Sequence, residues 1–249
     1  MRLLNFLLCI LEISGFNYNK RIYVTGGTSK LGINVVKKLC DMGYSTRCLV
    51  RDKKLAEEIF ENIKGIELVS GDILNKELLF DTMKGCDSSI NLHGTRRKTN
   101  LFKNELDDLS HPFYVNYIGT NNIIESCQKN DIKQLIRLTG LATSFSSYQF
   151  WPLLLDTLYS KIVSWHKESE KEIIESGLEY TIIRPGAIRD NIEFPFVEIT
   201  DNTTKAPGLI GIENLAEVIV HSINPKNSCI IDKSTLGRLK IISCRGLEK

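Results

Sequence analysis

Val24-Thr25-Gly26-Gly27-Thr28-Ser29-Lys30-Leu31-Gly32 is the stretch on which the reading of this 249-residue chain turns. Before it, Lys20-Arg21-Ile22-Tyr23-Val24-Thr25 reads as a strand. After it, Leu31 to Met42 reads as a helix, with Leu31, Val35, Val36 and Leu39 at helical spacing. A strand-to-helix turn this tight needs glycine for the backbone to approach a pyrophosphate, and the N–H groups at the helix start then face negative charge. Taken alone, the pattern serves a purely structural turn equally well. Its position at the first strand-helix junction gives it weight, as does a second strand ending about nineteen residues later, where a ribose-reading residue belongs.

Strand and helix patterns alternate outward from this turn. Ser45 to Val50, Ile66 to Val69, Ser88 to Leu92, Gln134 to Leu138 and Tyr180 to Ile183 read as further strands. Leu55 to Ile63, Leu78 to Met83, Val115 to Cys127 and Ser160 to Ser176 read as helices. Short strands separated by helices predict an α/β fold, a doubly wound parallel sheet covered on both faces. With no repeat, low-complexity tract or Pro/Gly/Ser linker, residues 20–249 are expected to form one domain behind a leader at 1–19. The longer irregular pieces, Thr95 to His111, Ala142 to Asp156 and Asn191 to Leu209, follow the fourth, fifth and sixth strands. A ligand of an open α/β sheet sits where such segments emerge.

The composition narrows the function. Thirty-two Lys and Arg against thirty Asp and Glu leave a formal charge of +2, which gives no bulk field for nucleic acid. The seven cysteines are odd in number, scattered and never in a C-x-x-C pair, so they read as reduced, mostly buried small hydrophobes. Met1-Arg2 followed by the apolar run Leu3 to Ile13 resembles a short signal-peptide core, but it is too short to span a bilayer. Glu12 within the run and the turn so soon after it favour an extra helix or leader on a cytoplasmic protein. An organellar or secretory protein is the alternative if residues 1–15 act as a signal.

Arg51, in Leu49-Val50-Arg51-Asp52, ends the second strand. A guanidinium there suits the 2′-phosphate of NADP, whereas an acid would hydrogen-bond the ribose hydroxyls of NAD. NADP(H) is therefore expected over NAD(H), with the adjacent Asp52 as the competing reader. Lys30 is either a second phosphate contact or an exposed lysine at a helix start.

Together with Ser70-Gly71-Asp72-Ile73, Asn91-Leu92-His93-Gly94, Val115 to Asn122 and Ser176 to Gly186, these segments resemble the atypical and extended short-chain dehydrogenase/reductases, in particular the NmrA-like NAD(P)-binding group. The resemblance runs from Arg21 to about Ile231 and implies an NAD(P)-binding Rossmann fold. It also implies that Gly26 and Gly32 contact the pyrophosphate, Arg51 the 2′-phosphate, Asp72 the adenine amino group and Gly94 the inner ribose. Thr139, Pro185 and Gly186 would flank the nicotinamide. Thr28, Ser29, Lys30, Leu31, Ile73 and His93 complete the expected cofactor set. Ser29 replaces the middle glycine usual in the family, and its Cβ narrows the approach to phosphate while its hydroxyl offers a hydrogen bond.

The catalytic pattern departs from the family. Many short-chain reductases place a Lys one helical turn after a Tyr, so that the ammonium lowers the phenol pKa. No tyrosine here is followed by Lys at the fourth position: Val163 follows Tyr159, Pro152 follows Tyr148 and Ile118 follows Tyr114. The active-site serine is replaced in Leu138-Thr139-Gly140, whereas Asn116 matches the family's asparagine. Thr139, Tyr159 and His166 are the candidates for the missing proton chemistry, with Lys161 and Lys167 beside them. A single histidine on a helix full of charges is more often a solvated surface residue.

Phe145 to Leu158 reads as an aromatic loop overhanging the nicotinamide end. It would line a pocket for a flat or apolar ligand, or dock a protein partner. Thr95-Arg96-Arg97-Lys98 is either a seat for an acidic group or a solvated charge run. The expectation is an oxidoreductase reducing a small apolar or aromatic molecule. The competing reading is a non-catalytic NAD(P) sensor or assembly protein.

Overall fold

Arg21–Thr25 forms β1, with Ile22 to Thr25 fully buried, because an apolar run without alternation can lie only in the middle of a sheet covered on both faces. The computed structural model describes residues 20–100, 105–147, 149–201, 208–223 and 241–247. The expected leader at 1–19 lies outside the described residues. After β1 come α1 (Lys30–Asp41), β2 (Ser45–Val50), α2 (Lys53–Ile59), β3 (Ile66–Ser70), α3 (Lys76–Thr82) and β4 (Ser88–Asn91). A π-helical stretch, Phe113–Ile118, leads directly into α4 (Gly119–Lys129), and β5 (Gln134–Leu138), α5 (Phe150–Leu158) and α6 (Ile162–Glu175) follow. The chain continues with β6 (Glu179–Pro185), β7 (Ala187–Arg189), β8 (Phe196–Asp201), β9 (Leu209–Gly211), α7 (Ile212–His221) and β10 (Ile241–Leu247).

The main sheet has the order β3-β2-β1-β4-β5-β6-β10-β8. Its pairs are parallel apart from β8, which runs antiparallel to β10 at the edge. The strand order reverses between β1 and β4, which is where an open α/β sheet has its ligand crevice. A wholly parallel sheet of six strands was expected, and β7 to β10 are additions to it. β7 and β9 are too short to show a period and, among the described residues, pair with each other.

One face of the sheet packs α1, α2 and α7 through Val35, Val36, Leu39, Ala56, Leu215 and Ile219. The other packs α3, α4 and α6 through Leu79, Met83, Ile123, Cys127 and Ile173 against Tyr23, Leu135 and Ile182. Burying both faces of these strands is the main source of stability, at roughly 25 cal/mol per Å² of apolar surface. Cys40, Cys48, Cys86, Cys127 and Cys244 are unpaired thiols. Burial pushes Cys48, Cys127 and Cys244 up to about 12 and Cys86 up to about 11, so they stay protonated and unreactive. Cys9 and Cys229 lie outside the described residues.

Phe145 to Leu158 is not a loop. Phe150–Leu158 is a helix with Pro152 buried in its first turn, where the missing proline N–H costs nothing. The helix ends at Tyr159, and Ser160 and Lys161 adopt positive φ to reverse the chain into α6. Asp156 then accepts from Val163 N at 2.7 Å, Ser164 N at 3.1 Å and Ser164 Oγ at 2.5 Å, which caps the start of α6. The aromatic side chains of the segment suggest an irregular loop, but its helical spacing decides the local structure. Tyr148 lies outside the described residues.

Candidate functional site

The glycine turn follows β1 at the carboxyl edge of the sheet, at the reversal of strand order. Gly26 has φ +74°, and a Cβ there would lie 2.7 Å from the Leu92 carbonyl carbon. A Cβ on Gly32 would stand 2.2 Å from Gly26 O, and one on Gly27 would stand 2.3 Å from Cys48 Sγ. Glycine is thus required by the close approach of the turn to β4 and α1, before any ligand is considered. Ser29 sits at φ −73°, an ordinary conformation for a residue with a Cβ. Its Oγ donates to Gly26 O at 2.9 Å and accepts from Gly32 N at 3.0 Å, so the serine is the N-cap of α1. Lys30, also expected in the cofactor set, is exposed and ion-paired with Asp190. Thr28 is half-buried, and Leu31 points into the core.

Arg51 is exposed just past the carboxyl end of β2. Asp52, its competitor, is committed as the N-cap of α2, accepting from Leu55 N at 3.1 Å. Asp72 is exposed past β3, and its Oδ1 accepts from Leu74 N at 2.9 Å. Ile73 packs where a Cβ on Gly119 would fall, 2.5 Å from Ile73 Cδ1. Gly94 is exposed past β4, and a Cβ there would only touch Asn116 Oδ1 at 3.6 Å. Gly186, in contrast, is pinned: a Cβ would lie 2.1 Å from Gly208 O. Pro185 before it is buried at the end of β6.

The far end of the site is built from buried side chains, with Thr139 and His166 half-buried among them. Thr25, Asn91, Arg137 and Ile182 form one rung across β1, β4, β5 and β6. His93 Nδ1 lies 2.8 Å from Thr25 Oγ1, and its Nε2 lies 3.3 Å from Thr120 Oγ1. Burial, reinforced by the Arg137 charge and His166, drives His93 well below its ordinary pKa and leaves it neutral. Arg137 Nη1 donates to His93 O at 2.6 Å and to Asn91 O at 3.3 Å. Desolvation brings Arg137 down to about 9, so it remains a cation at neutral pH. Thr139 Oγ1 donates to Glu170 Oε1 at 2.6 Å, and Thr143 Oγ1 donates to the same oxygen at 2.9 Å. Glu170 also accepts from Arg184 Nη2 at 2.5 Å and from Arg184 Nε at 3.2 Å, a buried bidentate pair joining α6 to β6.

His166 belongs to this group, four residues before Glu170 on α6 and so on the same helical face. Trp165 meets Phe113 edge-on at 4.9 Å and Tyr117 at 6.0 Å, which holds α6 against the π-helical stretch. His166 Nε2 then lies 3.4 Å from Asn116 Nδ2. Desolvation and the Arg137 charge bring His166 down to about 3. The reading of His166 as a solvated surface histidine is therefore corrected: a helix rich in charged residues can still turn one histidine inward. Tyr159 is elsewhere, with its ring under the Arg96 guanidinium at 4.0 Å. Arg97 pairs with Asp108 at 3.1 Å, so Arg96 and Arg97 are engaged within the chain. Lys167 donates to Phe145 O at 2.6 Å and to Ser147 Oγ at 2.9 Å, and Lys161 is exposed.

Arg137, Glu170 and Arg184 were not singled out from the sequence. Their signal is an arginine inside each of two apolar strands, Gln134-Leu135-Ile136-Arg137-Leu138 and Thr181-Ile182-Ile183-Arg184-Pro185, since a buried cation demands a partner. Phe150, Trp151, Leu153 and Leu158 face outward, with Phe150 68% exposed.

This is the construction of a dinucleotide-binding Rossmann protein, in which a glycine turn opens a helix at the switch point and single residues wait past each strand. The chain belongs to the NAD(P)H-binding family, whose profile matches residues 26–226. That match and the fold bear out the resemblance to atypical short-chain dehydrogenase/reductases. The chain is 24% identical over 198 residues to Protein TIC 62, chloroplastic, from Arabidopsis thaliana, covering 72% of this chain and 30% of that protein. It is 29% identical over 164 residues to the photosystem II assembly factor Ycf39 of Cyanidium caldarium, covering 66% of this chain and 46% of that protein. Among solved structures, it superposes on a short-chain dehydrogenase/reductase from Veillonella parvula in complex with NADP, with a TM-score of 0.66 and 14% identity over 91% of this chain and 94% of that one. Among the described residues no helix is long and apolar enough to cross a membrane, and no cluster of His, Cys, Asp or Glu could hold a metal ion.

Proposed function

We propose that the chain is an NADP(H)-preferring oxidoreductase of the atypical short-chain type, acting on a small apolar or aromatic substrate without a Tyr-x-x-x-Lys pair. The observation that carries this reading is the ordered group of Asn116, His166, Thr139 and Glu170 at the end of the crevice away from Arg51. A plain docking scaffold has no use for such a group. The geometry fits the cofactor: the turn between β1 and α1 would take the pyrophosphate, Asp72 the adenine, Gly94 the inner ribose, and Thr139 with Pro185 and Gly186 the nicotinamide. Arg51 would hold the 2′-phosphate, a reading favoured by the commitment of Asp52 to its helix cap. When bound, the nicotinamide supplies a hydride. The residues of the chain would align the substrate, exclude water and hold neutral N–H and O–H groups toward the acceptor atom.

The experiment is titration of the protein with NADPH and NADH, followed by cofactor oxidation against a panel of quinones, flavins and aldehydes. Tight NADPH binding with turnover is the expected result, and absence of binding would refute the reading. Arg51→Asp is expected to weaken NADPH relative to NADH by about 1 to 3 kcal/mol, the range of a charge-assisted hydrogen bond. An unchanged ratio would remove Arg51 from the site.

A second reading, an NAD(P)-dependent sensor or assembly protein, is favoured by the outward apolar face of α5 and by the name of the photosystem II assembly relative. Trp151→Ala separates the two. A raised Michaelis constant supports the reductase, and loss of a protein partner with turnover intact supports the assembly protein. The chloroplastic relative supports an organellar location over a cytoplasmic one.

A further inference from the structure

Two guanidinium groups lie buried past the middle of β5 and β6, with one carboxylate to serve them. Glu170 spends both oxygens on Arg184, Thr139 and Thr143. Arg137, fully buried, is left with two carbonyl oxygens on Nη1, while its Nε and Nη2 have no hydrogen-bond partner among the described residues. Carbonyl groups solvate a cation without cancelling its charge, so a net positive charge remains inside the fold.

His166 adds to the imbalance. The Asn116 amide is oriented by Thr95, whose N–H donates to Asn116 Oδ1 at 2.9 Å, so Nδ2 is the atom facing Thr95 O and His166 Nε2. Nε2 must then accept, which puts the ring proton on Nδ1. That atom is shielded from solvent and has no partner among the described residues. Asn91 Nδ2, on the same rung as Arg137, is likewise buried and unpartnered. Hydrogen bonds join these groups in one chain: Arg137 Nη1 donates to His93 O at 2.6 Å, His93 Nε2 lies 3.3 Å from Thr120 Oγ1, Thr120 Oγ1 donates to Asn116 O at 2.7 Å, and Asn116 Nδ2 lies 3.4 Å from His166 Nε2. Every unpartnered atom named here is an N–H donor. Buried donors without acceptors beside an uncompensated cation are what an anionic oxygen group would satisfy.

We propose that Arg137, His166 and Asn91 form a binding site for a compact carboxylate group, and that the substrate, apolar or aromatic elsewhere, carries this group. The substrate part rests on the reductase reading above, whereas the anion site does not. In this arrangement His166 acts as a neutral donor that orients the ligand and is not a proton shuttle.

The test uses the full chain and sodium formate as the probe, against sodium chloride and sodium sulfate at matched ionic strength. Thermal unfolding and the imidazole nitrogen resonances of 15N-histidine-labelled protein are recorded at each concentration. Formate is expected to raise the unfolding midpoint saturably and to shift the His166 Nδ1 resonance, and Arg137→Met is expected to abolish both. Arg137→Lys keeps the charge and loses the fork. It should weaken formate by about tenfold or more, and it covers the case in which the methionine variant does not fold. No saturable effect, an equal effect in Arg137→Met, or an equal effect of chloride would overturn the proposal. NADPH affinity is measured separately. A formate response without NADPH binding keeps this site and sinks the reductase reading, and the reverse result does the opposite.

Discussion

The two ends of the crevice are built on opposite principles. The end formed by β1, β2 and β3 presents backbone and exposed single residues: a glycine turn, a capping serine, Arg51 and Asp72. The end formed by β4, β5 and β6 presents the buried side chains of His93, Arg137, Glu170 and Arg184, with Thr139 half-buried beside them. A polyanion that remains partly in water needs N–H groups and an accessible cation, and both come from local geometry. A small ligand taken out of water needs charges held in place by other charges. The first end therefore tolerates change one residue at a time, except at its glycines. The second should fail as a unit.

The largest expected effect tests that cooperativity. Glu170→Gln leaves Arg184 buried beside a neutral amide whose one oxygen must serve Arg184, Thr139 and Thr143 together, at an expected cost of about 3 to 5 kcal/mol in a urea titration. A cost below about 1 kcal/mol would mean that the pair is solvated and that the contrast between the two ends is false. Next is Gly26→Ala, where a positive φ and a Cβ 2.7 Å from backbone combine to cost about 2 to 3 kcal/mol. An unaffected urea midpoint would show that the turn has slack.

A smaller effect is expected in acid. His93 and His166 are held neutral in the fold, with pKa values below the 6.5 of an unfolded histidine. The unfolded chain then binds more protons below that pH, so their contribution to stability is full above about 6.5 and falls as pH drops toward 3. His166→Gln should flatten part of this loss when urea midpoints at about pH 7 and about pH 4.5 are compared. An unchanged pH slope would place His166 in water. The smallest effect belongs to Ser29→Gly, which removes the N-cap but restores the family's glycine. A few tenths of a kcal/mol of stability should be lost, and freeing Gly32 N–H should tighten NADPH, read by titration. Weaker NADPH binding would instead make the Ser29 hydroxyl a ligand contact.

The same division governs what was legible in the sequence. β2 and β5 were read to the residue, and β1, β3, β4 and β6 to within one or two residues at each end, because their apolar runs are bounded by turns. The glycine turn, Arg51 and Asp72 were found because each sits at a set distance from a strand end. His166 is a candidate that sequence cannot separate from a surface histidine, since its partner Asn116, and the Phe113 and Tyr117 rings that seat its neighbour Trp165, lie about fifty residues earlier. α5 is a helix where the aromatic cluster suggests a loop, and its Phe150 and Trp151 are exposed.

The sequence by itself determined the alternation of strands and helices, the doubly wound class and the cofactor turn. Each rests on periodicity, glycine geometry and capping, which act within a few residues. Only the tertiary structure decided that Asp52 is a cap, that Lys30 faces Asp190, that β8 closes the sheet antiparallel, and that Arg137 is left without a carboxylate. Those outcomes depend on which side chains meet across the sheet. Burial sets the strength of such contacts, and burial belongs to the packed molecule and not to any stretch of the chain.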